Sequence, residues 1–247
     1  MGALAVAAPQ LLRHTPLSRT IGILMFPAML LGPSISGLTL AMIVDGKSGL
    51  RDLSYRIFGR RVPGRWYAAL LIPPALILIL LFVLERFLSS QYAPNHFLTG
   101  IFFGVPAGLL EEMGWTGYVF PKMRRHNNAL AASILLGLLW GIWHLPVINY
   151  LGTATPHGRY WFPFFLVFAV AMTAMRVLIC WVYSNTTSVL LAQLLHISST
   201  GSLVIFSPPS VTAAQEVMWY GVYAALLWLV ASLIVRVYGK DFTELRR

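Results

Sequence analysis

Seven predominantly apolar stretches follow one another along the chain, and each approaches or exceeds the length of about 20 residues that an α-helix needs to cross a bilayer. They lie at 21–44, 66–88, 97–120, 129–150, 162–183, 187–206 and 216–238. Because lipid offers no water to backbone polar groups, each stretch must satisfy its own hydrogen bonds as a helix. The sequence therefore predicts an all-α, polytopic helical membrane protein with about seven transmembrane helices around a central polar cavity.

The composition supports this fold class. Of 247 residues, 57% are hydrophobic and 11% are charged, and the mean hydropathy is +0.72. An ordinary soluble domain has roughly 25% charged residues, so a cytosolic enzyme, a disordered protein and a nucleic-acid-binding module are all excluded. The single cysteine, Cys180, excludes a disulfide framework and a thiolate metal site.

Basic residues cluster in three segments that alternate with almost uncharged connections. The loop 45–65 has six of them, residues 121–128 have three, and the last part of the chain has four. The positive-inside rule predicts that these segments and the C-terminus are cytoplasmic. The net charge of +10 therefore indicates topology, with no nucleic acid as partner. Loop 45–65 either contacts anionic membrane lipids or only sets this topology.

The segments divide the chain into three parts. Residues 1–20 form an N-terminal segment, residues 21–240 a single membrane domain, and residues 241–247 a cytoplasmic tail. The predicted orientation leaves residues 1–20 outside with two arginines, which a missing or atypical first helix would explain.

Charged side chains within a bilayer cost about 2.5–3.5 kcal/mol each on insertion scales, so the few within the predicted helices are candidates for function. They are Glu111, Glu112, His144, Arg176 and His196. Glu85 and Glu216 fall at the ends of predicted spans. The remaining histidines fall in predicted loops or tails, and they are His14, His96, His126 and His157.

Helical spacing suggests how the embedded groups are arranged. Trp140 shares a helix face with His144, and His196 shares one with Thr200, since both pairs are four residues apart. Counting the rise per residue from the predicted span ends, Glu111 and both histidines could meet in one cavity open to the cytoplasm.

Several chemistries remain open from the residues alone. A carboxylate and two imidazoles suit hydrolysis, in which the glutamate takes a proton from water and a second donor stabilises an oxyanion. No cofactor is certain, but Glu111, His144 and His196 could instead hold a divalent metal such as zinc, although the HExxH spacing is absent. A proton-coupled transporter and buried structural polar groups are further alternatives.

The local patterns around these residues resemble those of the CPBP family of intramembrane proteases, which includes type II CAAX prenyl endopeptidases and Abi-like bacteriocin-processing or immunity proteins. The family hallmarks are Glu-Glu-x-x-x-Arg, aromatic-x-x-x-His and His-x-x-x-Asn/Asp, in that order. The corresponding residues here are Glu111-Glu112 with Thr116, Trp140 with His144, and His196 with Thr200. Flanking strings also resemble bacterial members: GPSISGL at 32–38, GKSGLRDL at 46–53, RWYAALLIPP at 65–74 and EEMGWTGYVFPKM at 111–123. The resemblance covers residues 28–236.

The resemblance implies an intramembrane endopeptidase of the bacterial plasma membrane that cleaves a membrane-associated peptide or protein. It casts Glu111 as the general base, with Glu112 beside it and His144 aiding the activation of water. It makes His196 the oxyanion stabiliser or a ligand, assisted by Thr200. An alternative is a catalytically weakened immunity or binding protein, because threonines replace the family's arginine at 116 and its asparagine or aspartate at 200.

Depth counting gives one further prediction, for Arg176. Arg176 is fourteen residues into its predicted helix from residue 162, and Glu111 is fourteen residues into its own from residue 97. Both helices run in the same direction, so we predict that Arg176 pairs with Glu112, supplies the cation that Thr116 lacks and leaves Glu111 free. The alternative is that Arg176 snorkels to the cytoplasmic face.

Overall fold

The structure is a computed structural model that describes residues 19–151 and 157–243. Its α-helices are α1 (Arg19–Ser54), α2 (Ile72–Phe87), α3 (Ile101–Gly114), α4 (Phe120–Met123), α5 (Ala129–Trp143), α6 (Leu145–Leu151), α7 (Trp161–Thr186), α8 (Val189–Phe206) and α9 (Ala213–Tyr238). A 3₁₀ segment, Gly64–Leu71, precedes α2, and π-helical turns occur at Tyr55–Gly59 and Trp115–Val119. The predictions for most of the N-terminal segment and of the tail lie outside the described residues.

The predicted class, a polytopic all-helical membrane protein, is confirmed. Six helical segments of the described chain have the length and apolar composition needed to cross a bilayer. The predicted span 97–120 is not among these six. Its α-helix, α3, has only 14 residues and changes to a π-helical turn at Trp115–Val119. Helical backbone nevertheless continues from Ile101 through this turn to Met123, because the next α-helix begins at Phe120. Glu111 and Glu112 lower the hydropathy of this segment, so length and apolar composition alone do not select it as a span.

The segment predicted as loop 45–65 is largely helical instead. The first helix continues to Ser54 and then through the π-turn to Gly59. Its two aspartates form ion pairs: Asp45 with Lys122 at 2.7 Å, and Asp52 with Arg56 at 2.8 Å. Apolar length alone would end this helix near residue 44, because it takes no account of tertiary ion pairs that stabilise a charged extension.

Proline in a helix interior usually kinks the helix, but the prolines of the first two helices act differently. Pro73 and Pro74 are at the first positions of α2, where the missing N–H is not needed, and therefore do not kink a helix interior. Pro27 and Pro33 do lie inside α1, but the break in its helical backbone angles occurs at Gly46, whose φ is +66°. Glycine adopts this left-handed conformation without the steric cost of a Cβ atom.

Two Gly-x-x-x-Gly sequences bring the central helices close together. In α3, Gly104 and Gly108 face α8, and a Cβ atom at Gly108 would lie 2.6 Å from the carbonyl oxygen of Gln193. In α5, a Cβ atom at Gly137 would lie 2.7 Å from Cα of Thr173 on α7. Small residues permit such backbone approach between membrane helices. As a result α3, α5, α7 and α8 form the packed centre of the bundle.

The basic segments predicted to share one side of the membrane do lie at one end of the bundle. Lys122 pairs with Asp45, which connects residues 121–128 to the 45–65 segment. Arg124 pairs with Asp241 at 2.6 Å, which connects residues 121–128 to the C-terminal region. The side of the membrane that this end faces remains a prediction.

Candidate active site

The carboxylate of Glu112 lies at the centre of the bundle and is fully buried. Arg176 Nη1 on α7 donates to both of its oxygens, at 2.9 and 2.8 Å. The Nδ1 atom of His196 on α8 lies 2.8 Å from Oε1, and the hydroxyl of Thr116 donates to Oε2. Glu112 is therefore held in place by one charged and two polar partners from three parts of the fold.

The contact between Arg176 and Glu112 that depth counting predicted is thus present. Arg176 is fully buried, which rules out the snorkelling alternative. Its guanidinium carbon lies 4.2 Å from the ring centroid of Trp140, a cation–π contact, and Nη1 also lies 3.3 Å from the Thr116 hydroxyl. The cation that Thr116 cannot provide therefore comes from α7.

Glu111 has a different environment from its neighbour. Its side chain is also buried, but its Oε2 accepts a hydrogen bond from Trp140 Nε1, at 2.9 Å. No donor among the described residues contacts its second oxygen, Oε1. Successive residues of an α-helix point about 100° apart, so adjacent side chains can enter different surroundings. One carboxylate of the pair is saturated with partners and the other keeps an oxygen available.

Trp140 connects the other candidate residues. Its backbone carbonyl accepts from His144 Nδ1 at 2.7 Å, while its indole N–H binds Glu111. The indole ring is flanked edge-on by both histidines, with ring centroids 5.1 Å from His144 and 5.0 Å from His196. One aromatic side chain thus sets the spacing between the carboxylate and the two imidazoles.

These hydrogen bonds also decide how the histidines can act. A carbonyl and a carboxylate accept hydrogen bonds, so Nδ1 of each ring carries a proton and Nε2 is the nitrogen left for chemistry. Within residues 19–151 and 157–243, no group of three or more His, Cys, Asp or Glu side chains is arranged to hold a metal ion. The zinc alternative for Glu111, His144 and His196 therefore does not fit the geometry of the described residues.

A cavity of about 280 Å³ is lined by His144 and Thr200, but neither Glu111 nor His196 is among its lining residues. It extends to His157 and Glu216, at the start of α7 and α9. This end of the bundle is opposite the basic segments, whereas the sequence predicts that Glu111, His144 and His196 meet in one cavity open on the basic side. The reason for the difference is that His144 caps the C-terminal end of α5, far from the basic segment that precedes this helix.

The structure also adds residues that the sequence did not indicate. His157, predicted to lie in a loop, is 5% exposed, and its Nε2 lies 2.7 Å from a carboxylate oxygen of Glu216. Gln193 on α8 donates to the carbonyl of Leu109, two residues before Glu111, at 2.7 Å. Partners separated by 59 and 84 residues leave no local pattern, and only the polarity of Gln193 inside an apolar helix gave any hint.

An all-helical membrane bundle with a buried glutamate pair, a tryptophan and two histidines defines a class of intramembrane site. The family model described as type II CAAX prenyl endopeptidase, Rce1-like, matches residues 93–201, which include Glu111, His144 and His196. The chain is also 28% identical to CAAX prenyl protease 2 of Methanococcus maripaludis over 160 residues, which cover 63% of the chain and 54% of that relative. The chain thus spans about half the length of this relative. These two matches confirm the resemblance to Rce1-like type II CAAX prenyl endopeptidases that the motifs predicted.

Proposed function

We propose that the chain is an intramembrane endopeptidase that hydrolyses a peptide bond of a membrane-associated substrate with water activated by Glu111. The observation that carries this proposal is that the two adjacent glutamates differ in how many hydrogen-bond partners their carboxylates have. Glu112 is saturated by Arg176, Thr116 and His196, whereas Oε1 of Glu111 has no donor among the described residues. A general base needs such a free oxygen to take a proton from water.

In this mechanism Glu111 accepts a proton from water as the water oxygen attacks the carbonyl carbon of the scissile bond. His144, whose Nδ1 proton is directed to the Trp140 carbonyl, accepts a second hydrogen bond from that water through Nε2. The proton held by Glu111 then passes to the leaving amine, and the peptide bond breaks. Glu111 returns to its ionised state after one turnover.

The developing oxyanion is assigned to His196 and Thr200. Glu112 accepts from Nδ1 of His196 at 2.8 Å, which orients the ring. With a proton on each ring nitrogen, Nε2 of His196 donates to the oxyanion, and the Thr200 hydroxyl on the next turn of α8 adds a second donor. Donors fixed in advance cost no reorganisation when the charge develops.

Arg176 acts on this chemistry through Glu112 and is a positioning residue. A buried carboxylate without a counter-ion is strongly disfavoured. The guanidinium keeps Glu112 available to accept from His196, as the family's motif arginine would be expected to do from position 116. We therefore propose that replacement of that arginine by Thr116 does not abolish activity.

The direct test uses the purified protein in liposomes with a library of single-span peptides. Glu111→Gln should lower the cleavage rate by about 10²–10⁴-fold, the usual contribution of a general base. Glu85→Gln is the matched control, because Glu85 is exposed on α2 and this variant should cleave the peptides at the wild-type rate. Full cleavage by both Glu111→Gln and His144→Ala would refute the proposal. The Glu111→Gln protein also offers a trap with which to identify the natural substrate by crosslinking.

A second candidate is a non-catalytic immunity or binding protein of the same family. The observation that favours it is Thr200, which replaces the family's asparagine or aspartate and makes no hydrogen bond with another described side chain. This candidate predicts that a cellular phenotype of the wild-type gene survives Glu111→Gln. Loss of the phenotype in that variant, with the protein still folded in the membrane, would reject it.

A further inference from the structure

The cavity that contains His144 has one carboxylate, at its far end. It belongs to Glu216, and neither a lysine nor an arginine is among the lining residues. The nearby basic residue in sequence, Arg159, is exposed, and its guanidinium donates to the hydroxyl of Tyr160 instead. A lone carboxylate in a largely apolar chamber is the electrostatic complement of a cation.

His157 gives this end of the cavity directional hydrogen bonding. Its Nε2 lies 2.7 Å from the Glu216 carboxylate and so donates its proton there. Its Nδ1 is buried and has no hydrogen-bond partner among the described residues. In the neutral ring this nitrogen carries a lone pair, so the group that it lacks is a hydrogen-bond donor.

Aromatic rings surround the same place. The imidazole of His157 stacks on Phe164, with ring centroids 4.2 Å apart and planes 15° apart. Tyr220 stands at 88° to Phe164, 5.1 Å between centroids, and lies 6.0 Å from Phe168. Aromatic faces attract alkylammonium groups through their quadrupoles, and the attraction is stronger where water is excluded.

Resting on the proposed function, we propose that His157, Glu216 and these rings form a subsite for a primary ammonium group of the peptide substrate, either a lysine side chain or a free N-terminus. The carboxylate and the rings select positive charge, and Nδ1 of His157 selects a group that has an N–H to donate. A substrate carboxylate would be repelled by Glu216. The pair is thus a specificity determinant for the reaction at His144.

The row of rings sets how far this group lies from the reaction. From His144 to Phe168, Phe164 and His157 the successive centroid distances are 5.6, 6.3 and 4.2 Å, so the two imidazoles are at most roughly 16 Å apart. An extended peptide advances about 3.3 Å per residue. The ammonium group should therefore belong to a residue within about five positions of the scissile bond.

Binding of small probes tests the subsite without any proteolysis. Hexylammonium, hexyltrimethylammonium, hexanol and hexanoate share one chain and differ in the head group. Their binding to the full-length protein in dodecylmaltoside micelles would be measured by calorimetry, at one micelle concentration to equalise partitioning. Hexylammonium should bind about tenfold or more tightly than each of the other three, because only it offers both charge and N–H donors.

The variants separate the two contributions. Glu216→Gln should remove the preference for hexylammonium over hexanol, and His157→Phe should remove its advantage over hexyltrimethylammonium. Glu85→Gln, which deletes a carboxylate outside the cavity, is the control and should preserve both preferences. Tighter binding of hexanoate, or preferences unchanged in the two cavity variants, would overturn the proposal.

The outcome is separable from that of the proposed function. Selective binding of hexylammonium without cleavage of any peptide would leave the subsite standing and refute the endopeptidase. Cleavage of peptides without selective binding of hexylammonium would support the endopeptidase and refute the subsite. If peptides are cleaved, Glu216→Gln should raise KM for a lysine-containing peptide about tenfold more than for its norleucine analogue, with a smaller change in kcat.

Discussion

Removing the guanidinium of Arg176 should destabilise the protein strongly, because the carboxylate that it neutralises stays buried. Arg176→Met is the appropriate change, since methionine fills much of the vacated volume and limits the effect of a cavity. Glu112 would keep Thr116 and His196 as donors but lose both hydrogen bonds from Nη1. Breaking a buried pair on one side costs about 3–5 kcal/mol, and both members here are fully buried.

The assay is equilibrium unfolding in mixed micelles of dodecylmaltoside and dodecyl sulfate, followed by circular dichroism. Glu112→Gln alone should cost a similar amount, because it strands the guanidinium instead. The double variant Arg176→Met with Glu112→Gln should lose clearly less than the sum of the two, with a coupling energy of about 2 kcal/mol or more. Additive losses would refute the idea that the two residues act as a pair.

An exposed ion pair shows whether burial or the distance between the charged atoms decides the loss of stability. Arg124 and Asp241 lie closer, at 2.6 Å, but their side chains are 31% and 58% exposed. An exposed pair contributes about 0–1 kcal/mol, so Arg124→Met should change stability far less than Arg176→Met. Equal effects of the two substitutions would show that burial does not decide the energetics of the Arg176 pair.

The same unfolding assay tests contacts elsewhere in the bundle. Gly108→Ala should cost about 1–3 kcal/mol, since the new Cβ atom would meet a backbone carbonyl of α8, and a change within about 0.5 kcal/mol would contradict the close approach. The side-chain hydrogen bond from Arg124 lowers the pKa of Asp241. The ionised Asp241 therefore stabilises the fold above the unfolded-state pKa of about 3.9, and this stabilisation is lost as the pH falls through the folded-state pKa. Asp241→Asn should remove that part of the pH dependence of unfolding. Thr116→Arg should destabilise the wild-type protein, because it places a second cation beside Arg176. The same change should be tolerated in the Arg176→Met variant. An equal loss of stability on adding Thr116→Arg to either protein would contradict this.

Helix lengths and the depth of a residue along its helix could be predicted from the sequence. Apolar length located most of the membrane helices, since the thickness of the bilayer fixes the length of a span. The fixed rise per residue predicted the contact of Arg176 with Glu112 across 64 positions, because two helices crossing the same layer can be compared by depth.

Side-chain contacts could not be predicted where they depend on the rotation of each helix about its axis or join residues far apart in the sequence. The bond from Trp140 to Glu111 requires knowing which faces of α3 and α5 meet, and both helices are apolar on nearly all sides, so the order of their residues does not reveal it. The pair of His157 and Glu216 joins a residue before one helix to the first turn of another. The extension of α1 past residue 44 depends on an ion pair with Lys122, which no local periodicity reveals.

The source of the counter-ion for Glu112 has a consequence for how such proteins are recognised. A guanidinium can reach the same carboxylate from position 116 on its own helix or from position 176 on α7, and the buried volume beside Glu112 accommodates only one of them without charge repulsion. Among homologues, the residue types at these two positions should therefore covary: arginine at 116 should accompany an uncharged residue at 176, and threonine or another small residue at 116 should accompany arginine at 176. A search that demands the arginine of the linear motif would discard the second group, whereas a search that requires one arginine at either position would retain it.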